Sequence, residues 1–210
     1  MRNIVKNDKK KILAMQIAIS FFFTAIFIVI FFLVFEKKVS YFSSIINTTV
    51  VERKVSDKVT AFDSVKKRLI NYPTYGSKYG VIKIPSINRE LSLYYGDNLK
   101  ILRYGVGHYA GSYFPGEGGS IVLAAHNNPG YFDVLPKIKK GDKITIEASY
   151  GTFVYEVDNY KVVKETDLDA FPVQDEKELL ILYTCYPIDP SIVGRRTQRF
   201  VVYAYREDER

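Results

Sequence analysis

Twenty-four consecutive residues, Ile12 to Phe35, carry no charge, and only Gln16, Ser20 and Thr24 interrupt their apolar character. A helix rising ~1.5 Å per residue over that length crosses a hydrocarbon core of ~30 Å. A cleaved secretory signal has a shorter apolar core, roughly 7–15 residues, and then small residues at the cleavage site. This run is longer and ends in Phe35-Glu36-Lys37-Lys38, so the sequence predicts an uncleaved transmembrane signal-anchor helix over residues 12–35. Arg2, Lys6, Lys9, Lys10 and Lys11 precede the run, whereas only Lys37 and Lys38 follow it closely. That asymmetry puts the basic N-terminus, residues 1–11, in the cytoplasm and the remainder outside a single-pass cell-membrane anchor.

The anchor region also holds most of the charge. The chain of 210 residues has a formal charge of +7, of which residues 1–38, with seven Lys/Arg and two acids, supply +5. The remaining +2 gives no ground for a nucleic-acid partner. What lies beyond the anchor has the length of one ordinary domain with its own core. The whole chain has 17 Tyr, 14 Phe and no Trp, and all 17 Tyr lie beyond the anchor; such residues suit a pleated, half-buried surface, which predicts a mainly β fold.

Residues 36–77 form an extracellular segment in this reading. Val50–Val59 and Ala61–Ile70 mix charged and apolar residues at roughly helical spacing, which predicts a stalk or leading helix. Asn71-Tyr-Pro-Thr-Tyr-Gly76 then serves as a linker. From residue 78 to residue 210 the texture changes to short β-like runs: Gly80–Ile84, Leu91–Tyr95, Ile121–Ala125, Lys143–Glu147, Thr152–Val163, Leu179–Thr184 and Arg199–Tyr205. About seven or eight short strands separated by Gly, Pro, Asn and Asp argue for a barrel or sandwich rather than alternating βαβ units.

Two histidines and one cysteine narrow the search for chemistry. Cysteines outside the cytoplasm are usually paired, yet Cys185 has no possible partner within the chain. It ends the apolar run Leu179–Thr184 and precedes Tyr186-Pro187, so it sits at a strand end. His126 holds the same kind of place, after Ser120–Ala125 and before the turn signal Asn127-Asn-Pro-Gly130. A thiol with pKa ~8.5 is only a few per cent ionised at neutral pH, so a nucleophilic Cys needs a neighbouring imidazole or guanidinium. His126 and one of Arg195, Arg196 or Arg199 are the candidates. Arg195 and Arg196 beside Gly194 suit a solvated loop, whereas Arg199 opens the last apolar run and is fixed to a strand. A fixed guanidinium there can stabilise the oxyanion of a tetrahedral intermediate.

The segments Gly105-Val-Gly-His-Tyr109, Phe114-Pro-Gly-Glu-Gly-Gly119, Ile121-Val-Leu-Ala-Ala-His126, Leu182-Tyr-Thr-Cys-Tyr-Pro187 and Arg199-Phe-Val-Val resemble the successive signatures of sortases, in the sortase order. The resemblance spans roughly residues 78–206 and is most similar to class D, with class A next. It implies a closed β-barrel with short helices, and a cysteine transpeptidase that cleaves a Leu-Pro-x-Thr-Gly-like sorting signal between Thr and Gly. Cys185 is implied as the nucleophile that forms a thioacyl enzyme, and His126 as general acid and then base. Arg199 is implied to hold substrate and oxyanion, with Thr184 as a supporting residue there and His108 as either structural or on the substrate side. The implied partners are secreted proteins bearing the C-terminal signal, and an amine of a cell-wall precursor or a pilin. No metal or other cofactor is expected. Two rivals stand beside this reading: a catalytically silent, membrane-stalked binding domain, and another Cys-His cell-wall peptidase. A zinc site built from His108, His126 and Cys185 is a weaker idea because it lacks a fourth ligand.

Overall fold

The computed structural model describes residues 15–31, 61–189 and 195–209. Two compact units divide the chain, Met1–Ser44 and Ile45–Arg210. In the first, residues 15–31 are α-helical with every side chain exposed. Among the described residues no helix is long and apolar enough to cross a membrane. The predicted span covers residues 12–35, and its two ends, 12–14 and 32–35, lie outside the described residues.

The described residues of the second unit begin with a small hairpin, β1 (Phe62–Asp63) and β2 (Arg68–Leu69). This corrects the helix expected over 61–70. The Asp63 carboxylate accepts from the backbone N–H groups of Val65 and Lys66 at 3.0 and 3.1 Å, which favours a turn over a helix. Lys67, with φ 47°, completes the reversal. Leu69 is buried in the main core and Phe62 packs on it, so the hairpin belongs to the same unit as the strands that follow. The helical stalk expected before it lies outside the described residues.

Eight strands then close into a barrel. They are β3 (Lys78–Ile84), β4 (Arg89–Tyr95), β5 (Val106–His108), β6 (Ser120–Ala124), β7 (Lys143–Ala148), β8 (Gly151–Lys164), β9 (Leu179–Tyr186) and β10 (Gln198–Arg206). Their order around the barrel is β10-β8-β7-β3-β4-β5-β6-β9. Seven of them match the runs expected from sequence within a few residues at either end. The eighth, β5, is three residues long and Gly-centred, too short to show an alternating pattern. Most pairs are antiparallel, but β4 with β5 and β6 with β9 run parallel. Short 3-10 turns such as Pro85–Ile87 and Leu135–Lys137 fill the connections.

Period-two alternation sorts the side chains of β6, β9 and β10 onto two faces. Ile121, Leu123, Leu180, Leu182, Phe200 and Val202 belong to the large cluster inside the barrel. Val122, Leu179, Ile181, Val201 and Tyr203 form a second cluster on the outer face, where Ala170 and Phe171 cover them.

The Pro-Gly-Glu-Gly-Gly segment lies at the starts of β6 and β9, away from the ends that carry His126 and Cys185. Glu178, fully buried, accepts from the N–H groups of Gly116 and Gly118 and from Tyr155 Oη, and it meets Arg206 at 3.3 Å. Gly116 and Gly118 have φ of 97° and 86°, a conformation that any side chain would strain. Glu117 accepts in turn from Leu69 N, Tyr72 Oη and Phe114 N, fastening the leading hairpin to this loop. Glu178→Ala leaves two amides and the buried Tyr155 hydroxyl without their acceptor and takes one of two carboxylates from Arg206, which keeps Asp208, and is expected to cost about 3–5 kcal/mol in denaturant unfolding. A loss under about 1 kcal/mol counts against this account.

Candidate active site

Strand register brings three of the candidate residues to one end of the barrel. Arg199 on β10 lies directly across from Cys185 on β9. Ala124 on β6 pairs with Tyr183 on the parallel β9. His126 lies two residues beyond Ala124, as Cys185 lies two beyond Tyr183, so both fall at the same level. By alternation Cys185 and Arg199 share the outer face with Ile181 and Val201. The thiol is free and half-buried.

The zipper between these strands continues up to the reactive groups. Ala125 N–H donates to Tyr183 O at 3.3 Å, and the Thr184 hydroxyl donates to Ala125 O at 2.9 Å. Thr184 therefore faces the interior, fully buried, and its hydroxyl ties the segment carrying His126 to the strand carrying Cys185. Thr184, expected to support substrate or oxyanion, makes this contact beneath the site.

His126 is held by the turn after it. Its carbonyl accepts from Phe132 N at 3.0 Å, and its ring meets Tyr131 edge-on at 5.9 Å. Tyr131 is anchored by its hydroxyl on Arg103 O at 2.7 Å and by its carbonyl, which accepts from Arg89 Nε at 2.8 Å. Arg89 also pairs with Asp133 at 2.9 Å. Burial, and next the charge of Arg103, lower the pKa of His126 below the ordinary value for an imidazole. Sequence reasoning did not find Tyr131 or Arg103, because the packing that brings them to His126 is tertiary.

Arg199 is oriented rather than loose. Its Nη2 meets Glu165 Oε2 at 2.9 Å, and its Nη1 donates to the carbonyls of Arg196 and Gln198 at 2.9 and 2.8 Å. A guanidinium has five N–H donors, so Nε–H and one Nη2 hydrogen remain for a substrate. Glu165 is 34 residues away in sequence and gave no signal; it also pairs with Arg195 at 2.7 Å. Arg196 binds the carbonyls of Pro187 and Asp189, bracing the chain just after Cys185. Arg195 is exposed, as expected of a loop, but Arg196 is half-buried and structural.

His108, expected to be structural or on the substrate side, lies in the interior of the barrel. It pairs with Leu123, an interior residue, and is fully buried against Phe114 at 4.4 Å. The Ser112 hydroxyl donates to Tyr109 O, so it accepts from His108 Nε2–H at 2.9 Å, and Nδ1 accepts from Tyr79 Oη at 2.7 Å. Every polar atom of the neutral ring is thereby satisfied. His108 faces inward while Cys185 faces outward, so the two do not share a metal site. Among the described residues no group of three or more His, Cys, Asp or Glu is placed to hold a metal ion.

Burial lowers the His108 pKa from 6.5 to about 3. Below pH 6.5 the unfolded chain takes up a proton that the folded chain refuses. The stability contribution is therefore present above the unfolded pKa and is lost as pH falls toward the folded one. Relative to wild type, His108→Asn is expected to show a stability difference between pH 7 and pH 5 smaller by about 2 kcal/mol. Chemical denaturation at the two pH values measures this, and equal differences in both proteins contradict it.

A family model for the sortase domain matches residues 82–207. Sortase D of Bacillus subtilis (strain 168) is 38% identical over 154 residues, covering 73% of this chain and 76% of that protein. A Clostridium perfringens sortase D5 transpeptidase superposes with a TM-score of 0.57 at 25% identity, over 63% of this chain and 81% of that one. The Clostridium perfringens sortase C solved with the C-terminal cell wall sorting motif superposes with a TM-score of 0.57 at 34% identity, over 64% of this chain and 73% of that one. Barrel order, motif order and these likenesses agree: the chain belongs to the sortase family of cysteine transpeptidases, class D.

Proposed function

We propose that the chain cleaves a Leu-Pro-x-Thr-Gly-like sorting signal between Thr and Gly and passes the acyl group to an amine, anchoring secreted proteins to the cell wall. The observation that carries this reading is the register that sets Cys185 opposite Arg199 and level with His126. The Cys185 thiolate attacks the Thr carbonyl carbon, and the guanidinium of Arg199 stabilises the resulting oxyanion. As the Thr–Gly C–N bond breaks, the His126 imidazolium gives its proton to the departing amine, leaving a thioester on Cys185. An incoming amine then attacks the thioester, His126 takes its proton, and the thiolate is released. Thiolate and imidazolium form one coupled pair, so the pH–rate profile reports macroscopic pKa values of the pair.

Partners of this reading are secreted proteins with the C-terminal signal and an amine of a wall precursor or pilin. A neighbour solved with a cell wall sorting motif supports that substrate class. Residues 12–35 act as a single-pass anchor with residues 1–11 in the cytoplasm. Residues 36–77 extend outward as stalk and linker, and 78–210 form the extracellular catalytic domain. The charge-free run and its basic flank support this topology.

The test uses the full-length chain in detergent micelles with quenched Leu-Pro-x-Thr-Gly peptides, with and without an added amine. Cleavage after Thr and an amine-capped product by mass spectrometry are expected. Absence of both across the peptide set overturns the reading in favour of a silent binding domain.

A further inference from the structure

Next to the reactive end, the outer face has a floor of small residues and a wall that carries an unneutralised acid. Gly107 on β5, Ala124 on β6, Tyr183 on β9 and Val201 on β10 are successive lateral neighbours. A Cβ built on Gly107 would lie 2.6 Å from Gly96 O, 2.7 Å from Leu102 Cδ2 and 3.0 Å from Asp97 Cα. The 96–102 segment is therefore seated directly on β5 and stands as a wall beside Ala124. Opposite it, Phe171 packs edge-on against Tyr183 at 5.0 Å. Between them lie Ala124, which is buried, and Tyr183, which is half-buried.

Asp97 is half-buried in that wall. Burial raises the pKa of its carboxyl, and its own backbone N–H works in the opposite direction. Among the described residues no Lys or Arg pairs with it, whereas Arg199 on the far side is already matched by Glu165. Burial, and next the charge of Asp97, push the pKa of the Tyr183 hydroxyl up to about 12.

The acyl part of a substrate must stay held while the leaving amine departs and the acceptor enters. Both amines need His126 and open access at the strand ends, so the acyl side runs back over Tyr183 and Ala124. Tyr183 is two residues from Cys185, about 6.6 Å along the strand, and Asp97 lies across neighbouring strands at ~4.8 Å each. An extended peptide with its scissile Thr at Cys185 reaches that position about four residues upstream, at the residue preceding Leu. We propose that Asp97 is a specificity-determining residue that favours sorting signals with a basic side chain immediately before the Leu. This rests on the sorting-signal reading above.

The experiment compares X-Leu-Pro-Ala-Thr-Gly peptides, with X as Lys, Gln or Glu, on the full-length chain in micelles. Wild type is expected to show kcat/KM roughly fivefold or more higher for Lys than for Glu at low salt, narrowing at high salt. Asp97→Asn should bring the ratio close to one, and Asp97→Lys should invert it. Cleavage with a ratio unchanged in both variants, or with no salt dependence in wild type, overturns this inference and leaves the sorting reading intact. No cleavage of any peptide by wild type removes the sorting reading and this inference with it.

Discussion

Cys185→Ala in the full-length chain is expected to abolish cleavage of every sorting peptide, a loss of more than about a thousandfold, with thermal unfolding left near that of wild type. The two halves of this expectation have separate causes. Cys185 is the only cysteine, so no second thiol can take over the acyl group. Its side chain lies on the outer face near the end of β9, outside both buried clusters, so truncation opens no core cavity. A covalent adduct with the mass of the acyl half of the peptide should form on wild type and be absent from the variant. His126→Ala should fall nearly as far, and the double variant should be no worse than Cys185→Ala alone, because the pair acts as one unit. Retained cleavage in Cys185→Ala would show that the nucleophile lies elsewhere.

Much of the barrel was legible because its strands are short apolar runs bounded by Gly, Pro, Asn and Asp. Leu179–Thr184 and Arg199–Tyr205 announce themselves as apolar runs, and their register then places Cys185 against Arg199. The motif residues Cys185, His126 and Arg199 were legible for the same reason, since each sits at the end of a readable strand. The direction of His108 was not legible, because a histidine in a motif looks the same on paper whether it faces solvent or the interior. Only the pairing with Leu123 reveals its direction. The hairpin at 62–69 was mistaken for a helix because mixed charge at helical spacing also suits a short turn capped by Asp63. Glu165, Glu178 and Asp97 gave no signal: a lone acid on a strand end or loop acquires its role from partners distant in sequence.

Arg199→Ala is expected to lower kcat/KM by about a hundredfold to a thousandfold, the range for loss of an oxyanion donor in a partly desolvated site. Arg199→Lys should recover little of this, since a point charge on a flexible stem cannot keep two fixed N–H groups aimed while others hold Glu165 and the Arg196 carbonyl. Glu165 is then a positioning residue whose effect passes through Arg199. Glu165→Gln keeps an acceptor oxygen at the guanidinium and should lose only a few-fold, whereas Glu165→Ala releases the fork and should approach the Arg199→Ala value. In an Arg199→Ala background, Glu165→Ala should add almost nothing, because there is no guanidinium left to orient. A merely structural Glu165 would give losses that multiply with those of Arg199→Ala and a matching fall in thermal stability. Steady-state kinetics on the four proteins, beside their unfolding curves, separates the two. Independent losses would leave Arg199 as a local charge, without the fixed geometry that oxyanion stabilisation requires.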